Sequence, residues 1–175
     1  DLVLDLHCDS EAVLHLFIGT HLWPEMADLS ADLGSLATML EIDSGGGSFD
    51  EAFSRPWWTL AQRFGENLHI PFACQSATVE LRGTADVGDH LNAKDADNLL
   101  RYLQRRGVVA GDPGPLPDAL CDATPLAGIE YHSAPHAGIV NYLVEPGARV
   151  KAGDTVAEII DPNADDPATA RTPLI

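Results

Sequence analysis

A chain of 175 residues, 45% of them hydrophobic, can bury a core the size of one domain plus a small module, so it reads as globular rather than disordered. Its formal charge of −17, with Lys94 and Lys151 the only lysines, argues against nucleic acid and anionic membranes as partners, because phosphate binding needs clustered cations. No apolar run approaches the roughly 18 residues of a membrane span and no export signal opens the chain, which points to a soluble, cytoplasmic protein. The acidity itself reads as a solvated surface or as adaptation to a salty cytoplasm, and it identifies no substrate. Cys8, Cys74 and Cys121 are odd in number and widely spaced, giving neither a disulfide framework nor a metal clip.

In chain order, Leu2 to His7 is a nearly continuous apolar run, the pattern of a strand buried on both faces of a parallel sheet. A chain that opens inside such a strand reads as the remainder of a longer protein. Ala12 to Ile18 suits a second strand. Pro24 to Leu40 spaces Met26, Leu29, Leu33, Leu36 and Leu40 at helical intervals, predicting one or two short amphipathic helices. The glycine run within Ile42–Ser48 lacks the Lys-Ser/Thr of a P-loop and the G-x-G-x-x-G of a dinucleotide turn.

Phe49 to Phe64 carries a helical stripe of Phe53, Trp57, Leu60 and Phe64, interrupted by Pro56 and expected to face the core. Ser76 to Leu81 is a further strand, closed by Arg82-Gly83. Ala93 to Arg106 predicts a helix with Ala96, Leu99, Leu100 and Leu103 on its apolar face, Arg101, Arg105 and Arg106 near its C-terminus and Gly107 as its cap. Residues 111–128, dense in Pro, Gly and Asp, read as a linker that neither helix nor sheet absorbs. It divides a catalytic part, 1–110, from a β-rich module, 129–175, with strands at 137–144 and 155–160 and Gly-marked turns between them.

Two of these strands end in groups suited to hydrolysis. Asp5-Leu6-His7 closes the first and Glu80 lies near the end of a later one, at the sheet edge where open α/β folds bind ligands. Alternation puts Asp5 and His7 on one face, so Asp5 suits a supporting role for His7. A neutral imidazole binds zinc, and a nearby carboxylate takes a proton from metal-bound water. Against this, a lone His after a strand is more often structural. A buried strand Glu asks for a functional or ion-pair explanation; Arg82, two residues on, is its candidate partner or else the holder of a substrate carboxylate.

Other groups carry weaker signals. Cys8 lacks an activating base and reads as a small core residue. His132 and His136 flank a Pro with nothing nearby to complete a metal set. Glu11 and His15 follow His7 and are only weak candidates for further metal ligands.

Leu4-Asp5-Leu6-His7, the later Thr78-Val79-Glu80-Leu81-Arg82-Gly83, the Ala-Asp-rich helix and the terminal β module together resemble the succinylglutamate desuccinylase/aspartoacylase family, over nearly the whole chain. The resemblance implies an α/β fold: a zinc-carboxypeptidase-like core with a largely parallel or mixed sheet, plus a small C-terminal all-β, barrel-like module. It implies His7 as the third zinc ligand, Glu80 as general base and about one zinc per chain in the complete protein. The family's His-x-x-Glu element, which supplies the other ligands, does not precede His7. Nor does the segment before Glu80 supply the arginines that grip substrate in aspartoacylase.

The implied activity is a zinc-dependent deacylase cleaving the N-acyl amide of an amino acid or related small molecule, with Arg82 as a substrate-binding residue. A homo-oligomer is left open. A zinc carboxypeptidase acting on peptides and a non-catalytic binding or assembly protein of the same fold are the alternatives. The segment from Ala134 onward also resembles a lipoyl or biotinyl carrier barrel, but Lys151 lies in a Gly-flanked turn and not in the carrier's hairpin, so the module is expected to be a cap or assembly surface.

Overall fold

A computed structural model describes residues 1–43, 47–65 and 67–175 and divides into two compact units, Asp1–Gly128 and Ile129–Ile175. Three residues of the glycine run, Ser44, Gly45 and Gly46, lie outside the described residues.

The first unit is a mixed five-stranded sheet with helices on both faces. Its strands are β1 (Leu2–Asp9), β2 (Leu14–Gly19), β3 (Ala37–Glu41), β4 (Gln75–Gly83) and β5 (Ala123–Pro125), in the order β1-β4-β2-β3-β5. Only β2 and β4 run antiparallel to each other; the other neighbours are parallel. One face carries Leu14, Leu16, Ile18, Ala77 and Val79. It packs on α1 (Trp23–Leu33) through Met26, Leu29 and Leu33, and on α3 (Asp89–Arg105) through Tyr102, all within one buried cluster. The other face meets α2 (Phe49–Phe64), where Ser76 Oγ donates to the Asp50 carbonyl at 2.7 Å.

Several sequence expectations change on this frame. β1 is an edge strand and only part-buried, not enclosed on both faces. The helical spacing from Pro24 to Leu40 holds only to Leu33. Gly34, at φ 68°, ends α1 in the left-handed conformation, and Leu36 to Leu40 then enter strand β3, where β-branched Thr38 is fully buried. The α2 helix runs unbroken through Pro56, and its stripe is largely exposed rather than core: Phe53, Leu60 and Phe64 are each more than a third accessible, and only Trp57 is part-buried. Within residues 111–128, three residues do join the sheet, as β5 beside β3.

The α3 helix keeps its expected end, with Gly107 N–H on the Gln104 carbonyl and Val108 N–H on Leu103, a Schellman pair. Beside Tyr102 and Leu99, its inner face also carries a polar set. Asn98 donates to the Leu33 carbonyl. Arg101 Nε and Arg105 Nε donate to the fully buried Asp32 carboxylate of α1 at 3.0 and 2.6 Å. The arginines near the helix end therefore join two helices, beyond favouring a dipole.

The second unit is a three-stranded antiparallel sheet, β6 (Ile139–Tyr142), β7 (Ala157–Ile160) and β8 (Arg171–Leu174), in that order. Of the expected all-β module, the described residues show this three-stranded sheet. The expected turns are present, with Gly147 at φ 86° and Gly153 at φ 93°. Among the described residues no helix is long and apolar enough to cross a membrane.

Candidate active site

The β1–β4 ladder brings the sequence candidates together. Its parallel register sets Asp5 beside Thr78 and His7 beside Glu80, and the antiparallel β2 sets His15 on the other side of Glu80. Register partners share a face of the sheet, so Asp5, His7, Glu80 and His15 form one row on the α2 side. Asp5, His7 and Glu80 line a cleft of about 470 Å³ together with Glu41 and Asp50, the latter from the first turn of α2.

The Nε2 atom of His7 lies 2.9 Å from Asp5 Oδ2. A carboxylate only accepts, so Nε2 carries a proton, and in the neutral ring Nδ1 presents its lone pair. This is the arrangement of a metal-binding imidazole, whose second nitrogen is usually held by a carboxylate. Glu80 contributes the complementary feature: its Oε2 is buried with no hydrogen-bond partner among the described residues. An unpaired buried carboxylate oxygen is costly, which marks the position as one kept for something other than packing. The residues thus fit one ligand of a metal site and its neighbouring base. They do not complete the site, since no group of three or more His, Cys, Asp and Glu side chains among the described residues is placed to hold an ion.

The cleft wall is strongly negative. Burial, and then the like charges of Glu51, Asp50 and Asp43, hold the Glu41 carboxyl above its ordinary range. Nearby, burial pulls the His21 imidazole below its ordinary value against the opposing pull of Glu51.

Arg82 does not join Glu80. Between His7 and Asp9 the β1–β4 register shifts, Asp9 pairing with Gly83, so β4 carries one extra residue, a bulge. Arg82 sits there at φ 72°, and its guanidinium grips Asp95 of α3, Nη1 to Oδ1 at 3.2 Å and Nη2 to Oδ2. Regular alternation would have put Glu80 and Arg82 on one face; the bulge sends them to two. Arg82 lines a second cleft of about 500 Å³, which it shares with His7, Cys8 and Asp95. Cys8 is exposed there and is not a core residue.

Within the row, His15 is committed through Nδ1 to the Val13 carbonyl; in the second unit, His136 is held by the Ala137 carbonyl and Thr172 Oγ1. Asp95, missed in the sequence, was marked only by its place four residues before Leu99 on the inner side of α3. Glu41 had no sequence signal, since the segment before it reads as helical and only the structure makes it the end of β3.

No protein-family model and no curated protein matches the chain. Solved structures do. A succinylglutamate desuccinylase/aspartoacylase family protein from Shewanella amazonensis superposes with a TM-score of 0.84 at 28% identity, covering 100% of this chain and 47% of its own. A protein of the same designation from Shewanella frigidimarina gives 0.79 at 27% identity, with coverages of 99% and 45%. A Rhodobacter sphaeroides member gives 0.67 at 18% identity, 99% and 49%, a likeness of fold alone. The chain spans about half the length of these relatives. Along its whole described length, then, the chain resembles the succinylglutamate desuccinylase/aspartoacylase family, a hydrolase family, and corresponds to about half of such a protein.

Proposed function

We propose that this chain forms part of a zinc-dependent deacylase that hydrolyses the N-acyl amide of an amino acid or a similar small molecule. The observation that carries the reading is the pairing of His7 with Glu80 across β1 and β4. One residue presents an imidazole already braced by Asp5, and the other a buried, unpartnered carboxylate oxygen. His7 would hold the metal through Nδ1, and the remaining ligands would come from outside the described residues. Zinc, when bound, polarises the scissile carbonyl and lowers the pKa of water.

Glu80 takes the proton from the attacking water and delivers it to the departing amine. Asp5 keeps the His7 ring oriented. Arg82 would have to leave Asp95 to hold a substrate carboxylate.

Glu80→Gln keeps the shape and removes the proton acceptor. Turnover of an N-acyl amino acid by the complete gene product should fall by about 10²–10⁴-fold with metal content unchanged; unaltered turnover would defeat the assignment. The lack of a complete ligand set among the described residues favours one rival, a binding or assembly protein that keeps the fold without the metal. A complete gene product that binds N-acyl amino acids but never releases the acyl group would support that rival.

A further inference from the structure

The bulge at the end of β4 carries an inference beyond the roles of His7 and Glu80, though it rests on the reading of Glu80 as the base. Arg82 is the one residue other than glycine in the described chain with a positive φ. For such a residue the left-handed conformation is strained, and it persists only where its surroundings hold it. Here the surroundings are explicit. Asp95 takes both guanidinium Nη atoms in a forked pair, with side chains only 18% and 12% exposed.

Next to it, Gly83 N–H donates to Asp86 Oδ2 at 2.9 Å and Thr84 N–H to the Asp9 carbonyl at 2.8 Å. At Gly83 a Cβ would come within 2.9 Å of the Ser10 carbonyl oxygen, so the chain passes β1 too closely for a side chain there. The close approach fixes glycine at 83, and the turn it demands falls on Arg82.

We infer that Arg82 is a positioning residue: its forked ion pair with Asp95 latches the β4 bulge, and the latched bulge aims Glu80 into the His7 cleft. Without the bulge, residues 80 and 82 would share a face, and the guanidinium would neutralise the carboxylate that the reaction needs as a base. With it, Glu80 stays on the α2 side and Arg82 is carried to the α3 side. The latch thus separates two groups that sequence spacing would have paired. It also explains why Glu80 Oε2 has no partner among the described residues although an arginine lies only two residues away.

The test uses Asp95→Asn, which keeps size and weakens the fork, with Arg82→Lys and the double variant, each first checked for parental secondary structure by circular dichroism. Two readouts are taken: the ¹³C resonance of the Glu80 carboxyl with amide exchange at Gly83 and Thr84, which need no substrate, and kcat and KM of the complete gene product on N-acyl amino acids. The latch predicts that both single variants shift the Glu80 resonance and speed exchange at Gly83 and Thr84, with the double no worse than the singles. It further predicts that kcat falls on the order of 10-fold to 100-fold at unchanged KM, the cost of misplacing a reacting group.

A KM that rises in Arg82→Lys while Asp95→Asn behaves as the parent would overturn the latch and return Arg82 to gripping substrate. Unchanged resonance and exchange in Asp95→Asn would overturn it outright. A response in resonance and exchange from a parent that turns over no N-acyl substrate would uphold the latch and refute the deacylase reading instead.

Discussion

Replacing Asp32 by Asn should destabilise the first unit more than any other single polar change. The Asp32 side chain is fully buried between α1 and α3, where it accepts from Arg101 Nε at 3.0 Å and from Arg105 Nε and Nη2 at 2.6 and 3.0 Å. Removing one partner of a buried ion pair costs roughly 3–5 kcal/mol, because the remaining charge is left uncompensated. The Arg101 and Arg105 side chains are 31% and 18% exposed and recover some hydration, which places the loss near the lower end, about 3 kcal/mol. Against a typical domain stability of about 5–15 kcal/mol this is a large share, and it corresponds to a fall in Tm on the order of 10 °C.

Urea unfolding followed by far-ultraviolet circular dichroism measures the change directly. The Glu158–Arg171 pair of the second unit, whose arginine is 54% exposed, is the control, and Arg171→Ala should cost no more than about 1 kcal/mol. An Asp32→Asn variant within about 0.5 kcal/mol of the parent would refute the view that this carboxylate holds the two helices together.

Two further outcomes follow from the same geometry. The Glu41 carboxyl is held above its ordinary value of 4.5 by burial and then by Glu51, Asp50 and Asp43. Its protonated form is thus favoured on folding, and its contribution is present in full below about pH 4.5 and is lost as pH rises through its folded pKa. Glu41→Gln should flatten that decline in urea-measured stability between acid and neutral pH, and an unchanged profile would contradict the cause assigned. Tyr102 is fully buried with no partner for its hydroxyl among the described residues, so Tyr102→Phe should be neutral or stabilise by up to about 1 kcal/mol; a clear loss on thermal unfolding would mean that the hydroxyl is paired.

What was legible in the sequence was local. Strands β1, β2 and β4 announced themselves because their apolar residues fall in short runs, and α3 because its charges and Gly107 mark both ends. His7 and Glu80 were legible as groups at strand ends, and their register pairing was what the fold added.

Three features were hidden for physical reasons. Leu36 and Leu40 satisfy a helical period and a strand equally, and only the left-handed Gly34 decides between them. The inner face of α3 mixes Tyr102 and Leu99 with Asn98, Arg101 and Arg105, because Asp32 of α1 supplies the arginines' counter-charge, so an apolar-face count finds Leu99 and misses the polar half. Arg82 was assigned to the Glu80 face by alternation, and a single extra residue in β4 reverses that face without leaving any mark in composition.

The most direct test of the deacylase reading is elemental analysis of the complete gene product beside its His7→Ala variant, with turnover of N-acyl amino acids measured on both. The account predicts about one zinc per chain and measurable deacylation in the parent, with both largely lost in the variant. Zinc retained at the parental level in His7→Ala, or a parent that holds no zinc, would contradict it.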